Sequence, residues 1–344
     1  MGKIIAVTLD DIARTARVAK VTVSLALRDD PRVAAGTRAR IQRIARKLGY
    51  RPHAAISLLM RRVRLRQPAQ GQPVLAGITS WSSRPQERFS ALVAQFRGAS
   101  ARARELGFRL EEFRLNASGM TPERLGKILT ARHIEGVIVF PFPEKRALVL
   151  PWAEFAAVTV GYTLAAPTLN RVATAHYEAA TLALRELQNR GYQRVGLVLE
   201  RTLSENIERR WLAAFCAYQH EHRIPEQHAV LTVADTATDR NAFEQWLSDY
   251  RPDAILAGTP APGRWLRQLG RSAPGDVGLA YLSRHVRPAG DADSAYIDDR
   301  IEQVGAAAVD EVVAQLHRNA RGVPAVPHET FVLNCWVDGT SVRT

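Results

Sequence analysis

Lysine and arginine carry the strongest chemical signal in this chain, because sixteen of them crowd into residues 1–66 beside only four acids, Asp10, Asp11, Asp29 and Asp30. That segment carries +12, whereas the remaining 278 residues hold 31 basic and 30 acidic side chains. A solvated charged surface interleaves the two signs, yet no glutamate occurs before Glu87. An unbalanced positive field attracts polyanions; nucleic acid is the partner it favours, and an anionic membrane surface is the competing one. Other chemistries find little support. His220 and His222 stand two apart on an expected helix, so they face different directions, unlike the i, i+4 pair of a zinc helix. Phosphate-loop and dinucleotide glycine patterns, paired acid and base, and nucleophile motifs do not occur. The two cysteines, Cys216 and Cys335, are too few for a disulfide framework or a thiolate metal site. No catalytic residue, metal ligand or cofactor is expected.

Short helices must hold the basic residues. Thr8 can cap a helix whose first turn carries Asp10 and Asp11 at the positive end of its dipole, with Ile12, Ala13 and Ala16 as the apolar stripe. A break at 17–19 precedes a second helix, about 20–27, with Val23 and Leu27 on one stripe and Val21 and Leu25 on another. A third begins at Thr37: Ile41, Ile44, Ala45 and Leu48 follow i, i+3, i+4, i+7, and Gly49 stops it. Two helices joined by a three-residue turn, with a third completing the core, make a helix-turn-helix whose second helix fits the major groove. Periodicity alone also admits a generic three-helix bundle.

Residues 64–73, RLRQPAQGQP, read as a solvated linker. Beyond it, apolar segments at 74–80, 108–114, 136–140, 156–161, 194–199, 229–233 and 254–257 alternate with helical patterns at about 85–106, 121–131, 177–189, 208–222 and 240–249. That alternation predicts parallel sheets in two βα halves. The early apolar run, 4–7, is too short for a signal peptide and no later run reaches the length of a membrane span, so a cytoplasmic protein is expected.

The strings TLDDIARTARVAKVTVSLAL, RDDPRV and TRARIQRIARKLGYRPHAA strongly resemble the start of the lactose-repressor family of bacterial transcription regulators, and the rest of the chain resembles that family's effector domain. The resemblance implies an N-terminal all-α helix-turn-helix domain over 1–63, with a hinge helix at about 52–61. After the linker it implies an α/β effector-binding and dimerisation domain over 74–344 with the type I periplasmic-binding-protein fold. The two subdomains would be about 74–165 plus 300–326, and 166–299 plus 327–344.

The resemblance places Lys20, Val21 and Leu25 at base edges. It places Thr8, Thr22, Ser24 and Arg28 at DNA phosphates, where each also suits a cap or a solvated position. Leu25 stands where the family usually has arginine; it can pack on a thymine methyl but cannot bond guanine O6 and N7. Within PHAAISLLM, Leu59 matches the family's minor-groove wedge, simple dimer packing being the other reading. In the cleft the resemblance places Trp81, Phe89, Tyr162, Arg210, Trp211, Thr259, Tyr281 and Asp299. Several polar landmarks are altered: Ala175 and His176 replace an Asp-Asn pair, Leu282 and Ser283 two aspartates, Thr259 and Pro260 an Asn-Asp pair. The implied function is a sequence-specific repressor, a homodimer on double-stranded operator DNA, modulated by a small molecule that is a sugar in the family's usual case. The alternative is a ligand-independent DNA-binding regulator with a vestigial cleft.

Operator affinity should fall steeply with salt. Six to ten phosphate contacts give a log–log slope of roughly −5 to −9, readable from a filter-binding series, and a nearly flat dependence would reject the basic footprint.

Overall fold

Three short helices, α1 (Leu9–Ala16), α2 (Lys20–Ala26) and α3 (Ala35–Lys47), form where apolar stripes of helical period require them. The computed structural model describes residues 9–27, 32–48, 72–80, 90–115, 117–223, 229–234 and 237–344. Two compact bodies result, the first of 1–71 with 315–320 and the second of 72–314 with 321–344. In the first, Ile12 and Ala16 of α1, Val23 and Ala26 of α2, Val33, and Ile41 and Ala45 of α3 are buried together. The turn between α1 and α2 passes through Arg17 at φ +51, a left-handed conformation that costs any residue other than glycine. Gln42 Nε2 donates to the Ala26 carbonyl at 3.1 Å and so ties α3 to the end of α2. The expected hinge helix and linker, 52–73, lie almost wholly outside the described residues.

The second body alternates strands and helices: β1 (Val74–Thr79), α4 (Ser90–Glu105), β2 (Arg109–Arg114), α5 (Pro122–Ala131), β3 (Gly136–Val139), the short β4 (Arg146–Ala147), β5 (Ala156–Val160), the short β6 (Leu164–Ala166) and β7 (Asn170–Thr174). It continues through α6 (His176–Asn189), β8 (Val195–Glu200), α7 (Arg201–Asn206), α8 (Arg210–Glu221), β9 (Val230–Val233), α9 (Ala237–Tyr250), β10 (Ala254–Gly258) and α10 (Ala261–Gln268). Then come β11 (Gly278–Tyr281), β12 (Ala295–Asp298), α11 (Ile301–Arg318), β13 (Glu329–Val332) and β14 (Cys335–Val337). One six-stranded sheet has the order β13-β7-β5-β3-β1-β2, the other β14-β12-β11-β10-β8-β9. Every pairing in them is parallel except β12 with β14. The central strands β3, β5 and β10 are buried along their whole length, as strands covered by helices on both faces must be.

Sheet membership corrects the expected subdomain boundaries. Residues 170–174 and 329–332, assigned from sequence to the second subdomain, pair with each other and with β5 in the first sheet. Val172 and Ala173 bury themselves there. The chain therefore crosses between subdomains at 175, at 299–300 and at 333–334, where β13 in the first sheet gives way to β14 in the second.

Helices α4 and α11 cross at backbone contact. A Cβ on Gly98 would lie 2.0 Å from the Glu302 carbonyl oxygen, and one on Gly305 1.9 Å from that of Gln95. Gly305→Ala must push the helices apart and should cost at least about 1–3 kcal/mol, the range for overpacking a close-packed site. Urea unfolding would show it as a lower midpoint; an unchanged midpoint would mean that the helices separate freely.

Candidate nucleic-acid interface and crevice

In the three-helix body, packing of α2 by Val23 and Ala26 leaves Lys20 exposed and Val21 69 % exposed. Thr22 is half-buried. Leu25 is also half-buried and packs against the helical core, so it contributes less free surface than a stripe wholly separate from Val23 would give. Thr8, Arg28, Leu59 and the side chain of Ser24 lie outside the described residues.

In the larger body, parallel pairing aims the carboxyl ends of both sheets at the crossings, the usual place for a ligand in open α/β sheets. Tyr162, two residues past β5, is 2 % exposed. The Arg210 guanidinium lies 4.3 Å from its ring centre and that of Arg171 4.7 Å. Arg171 ion-pairs with Glu329, its register partner across β7 and β13. Arg210 reaches Glu208 at 3.3 Å and Glu329 at 3.6 Å, so a side chain at the start of α8 bonds to a strand of the first sheet. Lys145 meets Glu208 at 3.4 Å, and Asn206 donates to the Pro143 carbonyl at 2.9 Å. The His176 ring stands 6.0 Å from Tyr162 and 5.5 Å from Trp211. Trp211 in turn covers Gly258, where a Cβ would come 3.0 Å from the indole, so only glycine admits the ring there.

Buried polar atoms without partners include Tyr162 Oη, Arg171 Nε, His176 Nδ1, Arg210 Nε and Trp211 Nε1 within this cluster, Ser80 Oγ, Thr259 Oγ1, Asp299 Oδ1 and Asn334 Oδ1 just after strands, and Gln95 Oε1 on α4. Such atoms cost stability and are uncommon in a folded protein. Burial pushes the Tyr162 hydroxyl up to about 12, and burial, aided by Arg210, lowers His176 to about 4. Tyr162 therefore keeps its proton and His176 is neutral at pH 7. Asp299 accepts from Ser283 Oγ at 2.6 Å, and burial pushes its carboxyl up to about 7.

The structure thus draws Tyr162, Arg210 and Trp211 together and sets Thr259 immediately after the Gly258 that Trp211 covers. Tyr281 does not join them. Its ring lies in the apolar core with Trp265 and Phe243, and its hydroxyl donates to buried Asp291. Trp81 and Phe89 lie outside the described residues. Arg171, Glu208, Glu329, Lys145 and Asn334 are missing from the sequence reading, and His176 enters it only as an altered landmark. Arg171 and Glu329 become neighbours only through strand register, and no local pattern announces that. A shallow surface depression lined by Glu123, Lys127, Thr130, Pro151 and Glu154 shares no residue with the crevice. Among the described residues, no group of three or more metal-ligating side chains occurs and no helix is long and apolar enough to cross a membrane.

A helix-turn-helix body joined to a two-sheet, periplasmic-binding-protein-like body defines a DNA-binding transcription regulator. Residues 8–53 match the family described as bacterial regulatory proteins, lacI family, and residues 184–342 match the periplasmic binding protein-like domain. The chain belongs to the lacI family. Its fold is similar to that of a transcriptional regulator CelR–cellobiose complex, with 21 % identity, 97 % of this chain and 99 % of that chain covered, and a TM-score of 0.57. It is similar to the lac repressor dimer bound to operator and the anti-inducer ONPF, with 18 % identity, 98 % and 100 % covered, and a TM-score of 0.57. A LacI-family regulator from Rhizobium etli gives a TM-score of 0.63 at 18 % identity over 79 % of this chain and 99 % of that one. No curated protein sequence matches the chain.

The buried Asp299 makes stability depend on pH with a defined sign. Its folded pKa of about 7 lies above the ordinary carboxylate value. The fold therefore pays nothing for it below pH ~4, progressively more between pH ~4 and ~7, and the full cost above. Asp299→Asn should match the parent near pH 4 and exceed it by a few kcal/mol, roughly, at pH 8. His176 titrates in both proteins and cancels in the difference. Urea unfolding across pH 4–8 checks this, and a pH-independent difference would mean that folding leaves the Asp299 carboxyl unshifted.

Proposed function

We propose that the chain is a repressor that grips double-stranded operator DNA as a homodimer and changes its operator affinity when a small molecule of the sugar class occupies the crevice, with no catalytic step. Lys20, Val21 and Leu25 read base edges, and Thr8, Thr22, Ser24 and Arg28 hold phosphates. Leu59 supplies a minor-groove wedge. The exposure of Lys20 and Val21 on α2 supports the first assignment. Proteins that share this fold include a lac repressor dimer bound to operator and a CelR–cellobiose complex.

The observation that carries the effector reading is the set of buried, unpartnered polar atoms at the strand ends. A vestigial cleft has no reason to keep them, because replacing them with apolar groups removes their desolvation cost. Tyr162, Arg210, Trp211, Thr259 and Asp299 are the contacts this assigns. The first subdomain reaches the second through Arg210–Glu329 and Lys145–Glu208, so a ligand that prefers one arrangement of the halves shifts the population by its differential affinity for the two.

The test selects operator fragments from genomic DNA and measures their affinity with and without a deproteinised metabolite extract. A change of about five- to 150-fold is expected. Tight operator binding that no extract alters would leave a ligand-independent regulator.

A further inference from the structure

Two helices begin at the crevice, and a third begins beside it, without a side-chain cap at the residue before them. Helix α6 begins after Ala175, α8 after Arg209 and α10 after Pro260, and none of these residues bonds an N–H of its own helix through a side chain. By contrast, Thr121 caps α5 and Glu200 caps α7. Side chains tie the open ends together. His176, the first residue of α6, lies 5.5 Å from Trp211, the second of α8, and Trp211 covers the glycine just before Thr259 at the entry to α10. Each long helix places a partial positive charge at this end.

Donors dominate the unpartnered groups beside these ends. Arg171 Nε, Arg210 Nε and Trp211 Nε1 can only donate, and Tyr162, which is 2 % exposed, keeps its hydroxyl proton. Trp211 is likewise almost wholly buried, at 3 %. His176 Nδ1 and Thr259 Oγ1 can serve either way. Among the ion-paired groups three cations, Lys145, Arg171 and Arg210, share two carboxylates, Glu208 and Glu329, and Asp299, whose carboxyl titrates at about 7, adds only part of a third negative charge. When Arg210 turns to a ligand, Glu208 still has Lys145 and Glu329 still has Arg171. The exchange strands neither carboxylate. Unpartnered acceptors, Asn334 Oδ1 beside Ala175 and Asp299 Oδ1, suit hydroxyl groups on the same molecule.

Resting on the effector reading above, we propose that the crevice takes an anionic sugar-sized molecule, its carboxylate or phosphate received at the starts of α6 and α8 by Arg210, Tyr162 and Trp211. A neutral sugar would leave the surplus positive charge unmatched, whereas an anion meets donors, helix dipoles and charge together.

The experiment uses the full chain. Thermal shift and titration calorimetry compare hexuronates and aldonates, and separately hexose phosphates, with their neutral hexoses and methyl esters. At least one acid should bind about ten- to hundredfold tighter than its neutral counterpart, the range for charge-assisted hydrogen bonds. Whether hexuronates or hexose phosphates win identifies the anion. Arg210→Gln should erase that preference. If that variant fails to fold, Trp211→Phe, which deletes one donor and keeps the ring stack, should weaken the acid more than the neutral compound. Neutral compounds binding as tightly as their acids would overturn the anionic class and leave the effector reading standing. No response to any acid, neutral sugar or metabolite extract would overturn both.

Discussion

Parallel pairing sends the strands of each sheet in one direction, and the rest of the larger body follows from that. The connections from β1 to β2, β2 to β3, β8 to β9, β9 to β10 and β10 to β11 leave at one edge and return through helices that start there, so strand carboxyl ends and helix amino ends collect on one side. Their backbone groups and flanking side chains have no ladder to join. A body whose central strands β3, β5 and β10 are buried throughout thus keeps unpartnered polar groups just past its strands, from Ser80 after β1 to Asp299 after β12. Only β14 runs against its neighbour, which fits its place as the last short strand after the third crossing.

Arg210 is where this margin becomes a single site. Its guanidinium lies over Tyr162, between Glu208 on its own side and Glu329 on the strand added by the returning chain. Arg171 lies over the same ring and is held by the same glutamate. These pairs are partly solvated, so no one of them fixes the arrangement by strength. They fix it by sharing: each carboxylate has two cations, and removing one contact leaves the others in place. A link of that kind between two halves suits a protein whose halves must also move apart.

The smaller body works under a different constraint. Its core is mostly alanine and valine with two isoleucines, too little apolar mass to cover three helices on every side. Arginine and lysine occupy the outer surface, and Val21 stays exposed because Val23 and Ala26 already fill the inner stripe of α2. The same packing that stabilises the domain therefore decides what it presents to a polyanion.

The three-helix domain was legible in the sequence because it is local: stripes at i, i+3 and i+4, a break at 17–19 and an excess of charge need no long-range contact to be read. The βα alternation was legible for the same reason: the helical pattern at 121–131 is α5, which the structure shows capped by Thr121. Boundaries were not. Residues 170–174 are too short and mixed to announce a strand, and they enter the first sheet by pairing with β5 on one side and with β13, about 160 residues away, on the other. The crevice lay between these cases. Tyr162, Arg210 and Trp211 could be named one by one, yet a sequence does not show that Arg171 and Glu329 are register partners, that His176 stands between two aromatic rings, or that Tyr281 turns into the core to meet Asp291. Sequence by itself determined the element types, the charge asymmetry and the family. Tertiary structure alone decided which polar groups share a space, because side chains far apart in the chain meet only once parallel pairing has brought their strand ends to one edge.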